Sequence, residues 1–254
     1  MERQSPATFN PDGKGIKMKN KAFLFFLFFC LLSLLAVQAQ NDFEAGNAAY
    51  QNKEWAKAAD YYRKAAQNGL NNAQLWYNAG CAEWQNGTKA LAALYFLRSA
   101  RIDPRDADLR HNLKLILGEQ PEASFQETLL SLLSLNELLI LTLILNWGFF
   151  LFLLFFLKTR KEFLAWTAGI FLLGFIIIGA ATGAAVYDRV KTPQAVILPE
   201  KVTVYSGPGR DFTDCAQLPQ AGLVKVIKNQ DDWCEISFAS GQRGWIRSEE
   251  LEKV

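Results

Sequence analysis

The feature that most constrains this chain is a pair of long apolar runs, Leu138 to Leu157 and Phe163 to Tyr187, parted only by Lys158-Thr159-Arg160-Lys161-Glu162. About 20 consecutive apolar residues let a helix cross a bilayer. Each run meets that length, and the break between them has room only for a turn. The runs therefore predict a transmembrane hairpin, with helices over 135–157 and 163–187 and a loop over 158–162. Three basic residues in so short a loop put it on the cytoplasmic side. The competing reading, one large soluble core, fits poorly with a basic turn between two such runs.

A third apolar block, Ala22 to Val37, follows Lys17, Lys19 and Lys21 and precedes Val37-Gln38-Ala39. A basic start, a short apolar stretch and small residues at the end read as a secretory signal peptide over residues 1–39, cleaved to leave Gln40. Met18 stands where such a signal normally begins, so residues 1–17 read as an upstream extension. An uncleaved anchor is the alternative, but roughly 16 apolar residues are short for a span. Phe29 precedes Cys30, where a lipoprotein signal requires a small residue. An exported N-terminus makes the first span run inward and the second outward. Both flanking segments, 40–118 and 195–254, are then expected on the outer, periplasmic face of a bacterial inner membrane, with 119–134 as linker.

Within the second span, Gly179 and Gly183 lie four apart, with Ala180/Ala184 and Ala181/Ala185 beside them. Small residues at this spacing let helix backbones approach closely in lipid. Asn146, near the middle of the first span, favours a hydrogen-bonding partner. These three residues are expected to pack the hairpin against itself, with another protein's transmembrane helix as the alternative. Glu137 sits at the outer edge and no ionisable residue lies deep in either span, which argues against an ion pathway.

The net charge is +2. Residues 1–21 carry +3 and the loop +2, whereas 40–128 and 188–254 each come to −1. Neither soluble segment is a basic surface suited to nucleic acid.

Residues 43–114 repeat with a period of 34. Between 45–68 and 79–102, ten of twenty-four positions are identical, including Ala45/Ala79, Gly46/Gly80, Ala58/Ala92 and Tyr61/Tyr95. Tyr62 becomes Phe96, and the match continues through Ala73/Ala107, Leu75/Leu109 and Asn78/Asn112. This resembles the tetratricopeptide repeat, a helical hairpin of that period. Trp76, Gly80, Ala92, Phe96 and Pro104 fit its pattern in the second unit, and Gly46, Ala58, Tyr62 and Ala65 in the first. Asp42 and Leu70 depart from it. Two units and a capping helix from about Ala107 to Leu117, ended by Gly118, fall short of the three units such arrays usually need. The resemblance implies a concave groove lined by Phe43, Asn47, Tyr50, Tyr77, Cys81, Trp84 and His111, holding a protein segment. Asn47 and Asn78 match the carboxylate clamp of some members, but Phe43 and Asp108 replace its lysines. Intramolecular packing of the same aromatics is the alternative.

From residue 195 to 254 short apolar strands alternate with turn signals: Val202-Thr203-Val204, Leu223 to Ile227, Trp233 to Phe238 and Trp245-Ile246. That spacing predicts a small all-β barrel. Ser206-Gly207-Pro208-Gly209, then Leu218, Gly222, Trp233 and Gly244-Trp245-Ile246, resemble bacterial SH3-like domains. Such domains often bind cell-wall peptides or polyproline-like ligands, and many are spacers. Trp233 and Trp245 read as core or rim residues.

Nothing in the chain has the spacing of a catalytic, cofactor or metal site, so a non-enzymatic protein is expected. His111 is the only histidine. Cys215 and Cys234 share one exported domain and are candidates for a disulfide. Against the bond, Trp233 is expected to point inward, which sends Cys234 to the other face of its strand. The order of signal peptide, tetratricopeptide units, hairpin and SH3-like tail resembles the BatE proteins of Bat aerotolerance operons. That resemblance implies a scaffold in an envelope complex with von Willebrand A domain proteins and a MoxR-type ATPase. The bilayer and, through the barrel, peptidoglycan are the other expected partners; a cell-wall anchor is the rival function.

Overall fold

The structure, a computed structural model, describes residues 36–118, 133–191, 193–238 and 241–254. The expected signal sequence up to residue 35 and linker residues 119–132 lie outside them. The architecture is that of a multidomain chain with a helical repeat, two long apolar helices and a small β-barrel.

The repeat comprises α1 (residues 36–51), α2 (Trp55–Gln67), α3 (Ala73–Gln85), α4 (Lys89–Ile102) and α5 (Ala107–Leu117). Asn72 and Asp106 cap α3 and α5 by accepting the backbone N–H of Leu75 and Leu109 at 2.8 and 3.1 Å, which satisfies amides the helix cannot. The period of 34 has a direct packing meaning. A Cβ on Gly46 would fall 2.6 Å from the Tyr62 ring, and one on Gly80 would fall 2.6 Å from the Phe96 ring. Each glycine is the gap its unit's aromatic fills. Tyr62 and Phe96 are buried, and burying a side chain of this size contributes about 1.5–3 kcal/mol.

The turns between helices repeat as well. Gly87, at φ +85°, ends α3, and Lys53, at φ +61°, ends α1 at the equivalent position. In both, the next residue donates its N–H five residues back, Thr88 to Glu83 and Glu54 to Ala49, each at 2.9 Å.

The apolar runs form α6 (Leu135–Thr159) and α7 (Glu162–Lys191). Both are long and apolar enough to cross a membrane, with mean hydropathy of 2.5 and 2.2. Only 6% and 11% of their apolar stretches are buried, so they are not the core of a soluble domain. Ser134 and Glu137 form a capping box at the start of α6. The break is shorter than the expected 158–162. Lys158 and Thr159 stay helical, the Thr159 hydroxyl donates to the Phe155 carbonyl, and Arg160 turns left-handed at φ 57°. Only Arg160 and Lys161 lie between the helices.

The hairpin packs differently from the small-residue expectation. Phe171 fits over Gly148, Leu145 meets Gly174, and the hydroxyls of Thr142 and Thr182 bond at 3.0 Å. Gly179 makes only ordinary contact with Thr142, and Gly183 meets no neighbouring atom. At about 100° per residue, Gly183 has rotated off the face that carries Phe171, Ile178 and Thr182. Asn146 is half-buried, and the polar link between the helices is the threonine pair instead.

The barrel has seven antiparallel strands: β1 (Gln194–Ile197), β2 (Lys201–Tyr205), β3 (Asp214–Pro219), β4 (Leu223–Gln230), β5 (Trp233–Phe238), β6 (Gln242–Arg247) and β7 (Leu251–Lys253). Their order is β3-β2-β6-β5-β4-β1-β7. Val202, Val204, Val224, Val226, Cys234, Ile236 and Ile246 fill its core. The face of β5 is opposite to expectation: Cys234, Ile236 and Phe238 point in, while Trp233 stays half-exposed. Cys234 pairs with Ile246 and Ile236 with Gly244, where Val204 lies so close that a Cβ would sit 2.2 Å away. Such a tight interior takes a thiol and branched aliphatics, and the indole goes outside. The Cys215–Cys234 disulfide is absent. Cys215 is free and exposed on β3, Cys234 is free and buried, and β2 and β6 lie between their strands.

Repeat and barrel share an apolar cluster. Val196, Ala221, Leu223 and Val254 pack with Leu75, Leu94 and Tyr95, so α4 docks on the β1–β7 edge. Arg105 of the repeat also pairs with Glu137 at the start of α6.

Candidate functional site

Three helices at 34-residue offsets, α1, α3 and α5, line one side of the repeat. Two neighbouring cavities run along it and share Tyr50 and Cys81. The larger, about 460 Å³, is floored by Tyr62 and edged by Glu44, Asn47, Gln74 and Asn78. The smaller, about 210 Å³, is bounded by Trp84, Phe96, Asn112 and Leu115. No lysine or arginine lines either.

The expected groove residues divide. Asn47, Tyr50, Tyr77, Cys81 and Trp84 line the cavities. Phe43 does not: it is buried against Tyr62, ring centres 5.8 Å apart. Its ring joins the repeat core beside Tyr62. His111 is exposed on α5 outside both linings, and its neighbour Asn112 takes the groove position, donating to the Tyr77 hydroxyl at 3.3 Å.

The groove floor is a hydrogen-bonded set. Asn47 Oδ1 accepts from the Tyr62 hydroxyl at 2.9 Å and from Asn78 Nδ2 at 3.0 Å. Burial pushes the phenols of Tyr62 and Tyr77 up to about 12, and burial also raises the Cys81 thiol. All three are neutral near pH 7, so the floor acts through hydrogen bonds and apolar contact, not charge. Among the described residues no group of three or more acidic, histidine or cysteine side chains could hold a metal.

A second surface lies on the outside of the barrel, where Trp233 and Trp245, read as core or rim residues, both stand half-exposed. Tyr205 and Trp233 meet edge to face at 5.6 Å, and the Arg247 guanidinium lies 6.0 Å over the Trp233 ring. Trp245 pairs with Tyr205 across β2 and β6. The signal was the alternation along β5, read with Trp233 inward, and along β6, where Gly244 and Ile246 are buried on either side of Trp245.

The fold thus combines two helices long and apolar enough to cross a membrane with a helical repeat and an SH3-like barrel, both of kinds that are not catalytic. Residues 199–253 match the family model described as "Bacterial SH3 domain". Over 55 residues, 22% of this chain, the sequence is 33% identical to the "Putative N-acetylmuramoyl-L-alanine amidase YrvJ" of Bacillus subtilis (strain 168). The match spans only 11% of that relative. Among solved structures, the Arabidopsis OM64 TPR domain aligns with 32% of this chain and 68% of its own at 23% identity and TM-score 0.31. YrrB, described as a TPR protein with an unusual peptide-binding site, aligns with 58% of this chain and 74% of its own at 20% identity, also at TM-score 0.31. The repeat assignment rests on the 34-residue period and the paired glycine–aromatic contacts.

Proposed function

We propose that this chain is a membrane-anchored, non-enzymatic adaptor whose repeat groove holds a segment of another envelope protein. The observation that carries the reading is the continuous groove across α1, α3 and α5, with Tyr50, Tyr77 and Trp84 along it. Buried aromatic anchors commonly dominate such contacts. The resemblance in domain order to BatE proteins makes von Willebrand A domain proteins and a MoxR-type ATPase system the partners to test first, with aerotolerance as the associated phenotype. The periplasmic side is supported by the basic turn at Lys158, Arg160 and Lys161. The contact between repeat and barrel supports placing both on one side of the bilayer.

The test is Tyr77→Ala with Trp84→Ala in the full-length protein. Each truncated anchor costs about 2 kcal/mol, roughly a thirtyfold loss of affinity. Co-purifying von Willebrand A proteins should be released while helical content and membrane insertion persist. Retention of every partner sinks the adaptor reading. A cell-wall anchor is the second reading, favoured by the bacterial SH3 match and the aromatic face at Tyr205, Trp233 and Trp245. It predicts instead that Trp233→Ala frees the protein from cell-wall sacculi.

A further inference from the structure

The polar rows of the groove carry a sign. Counting by 34, Glu44, Asn78 and Asn112 occupy equivalent positions, as do Gln40, Gln74 and Asp108. Glu44, Gln74, Asn78 and Asn112 line the cavities. Asp108 stands one helical turn before Asn112, and its charge is felt at the Tyr77 phenol, as that of Glu44 is at Tyr62. Glu44 thus edges the groove at one end and Asp108 stands just outside the lining toward the other, with amides between them and no cation in either lining.

The amides are also committed in a particular way. The Asn47 carbonyl is taken up by Tyr62 and Asn78. Its own amino group and the Asn78 carbonyl have no bond to other described residues. That leaves an amino group able to donate and a carbonyl able to accept, matching the carbonyl and N–H that an extended main chain presents. A free carboxylate offers acceptors only, and here it would meet Glu44 at like charge.

We infer that the groove takes an internal, largely apolar segment of a protein partner carrying a lysine or arginine, and rejects a free C-terminal carboxylate. This rests on the groove being the binding surface at all. The cationic side chain pairs with Glu44 or Asp108, the main chain bonds the Asn47 and Asn78 amides, and apolar side chains lie on Tyr50, Tyr77 and Trp84. The sign of the site is thereby opposite to that of a carboxylate clamp.

The full-length protein in nanodiscs is panned against two random dodecapeptide libraries, one amidated and one with free C-termini. The Tyr77→Ala, Trp84→Ala variant, checked for helical content, serves as counter-selection. The expected result is enrichment from the amidated library of peptides with lysine or arginine at one fixed position. Their affinity should fall about fivefold to tenfold on Glu44→Gln or Asp108→Asn, and should weaken as salt rises. Enrichment of acidic or C-terminally anchored peptides overturns the inference while leaving the groove as the binding surface. Enrichment that does not depend on Tyr77 and Trp84 overturns the groove reading as well. Basic peptides whose affinity ignores both carboxylate substitutions overturn the charge assignment.

Discussion

Arg98 of the repeat reaches Glu252 of the barrel, its Nη2 3.1 Å from the carboxylate, with the guanidinium 5.1 Å from the centre of the Trp76 ring. The same nitrogen donates to the Lys253 carbonyl at 3.0 Å, and Tyr95 lies 5.8 Å away on the same guanidinium. Arg101 adds a bond to the Val254 carbonyl at 2.5 Å. A repeat of two and a half units is short of apolar neighbours, and the barrel supplies them on the α4 side.

Arg98→Ala should therefore loosen the junction more than Glu252→Gln does. The ion pair is partly exposed, at 25% and 51%, so its loss should cost under about 1 kcal/mol. Arg98→Ala also removes the bond to Lys253 and the stacking on Trp76 and Tyr95, and about 1–2 kcal/mol is expected. Hydrogen exchange at 194–197 and 251–253 reads both. Equal effects would mean that the charge alone holds the edge.

Gly80→Ala should destabilise the repeat by about 1–3 kcal/mol, because the new methyl overpacks against Phe96. Gly183→Ala meets open space and should be neutral or stabilising by up to about 1 kcal/mol, since alanine is the better helix residue. Thermal unfolding of both in detergent separates them. A costly Gly183→Ala would indicate that this glycine packs against a neighbour after all.

Alkaline pH should act on the repeat chiefly through the phenols of Tyr62 and Tyr77. Tyr62 and Tyr77 are raised from an ordinary value of 10.0 to about 12. The folded state thus holds their protons longer than the unfolded chain. Their contribution is complete below pH 10 and is lost as pH climbs toward 12. Tyrosinate absorbance should show Tyr62 and Tyr77 titrating late, with Tyr50 also raised by burial, and Tyr77→Phe should remove one late phenol. Uniform titration at the ordinary value would contradict their burial.

Topology is checked by alkaline phosphatase fusions. Fusions after Gly118 and after Val254 are expected to be active and one at Thr159 inactive. An active Thr159 fusion would reverse the hairpin and, with it, the side on which both soluble modules stand.

Most of the architecture was legible because its signals are local or periodic. Two apolar runs with a short basic break read as two long apolar helices joined by a turn, and a 34-residue period with Gly46/Tyr62 and Gly80/Phe96 implies stacked helical pairs. The extent of α5, Ala107–Leu117, follows from the Asp106 cap and Gly118. In the barrel, β2, β4, β5 and β6 were visible as alternating runs, while β1, β3 and β7 gave little alternation to read.

What the sequence by itself determined is therefore the list of modules and their order. Only the tertiary structure decided which face each element turns inward. Alternation along β5 shows that its two faces differ, yet it took the narrow core around Val204 and Gly244 to put Cys234 inside and Trp233 out. Phe43 left the groove because its ring packs in the repeat core against Tyr62. Arg98 and Glu252 are 154 residues apart, and no local pattern in either helix or strand encodes a contact that exists only once α4 lies on the β1–β7 edge.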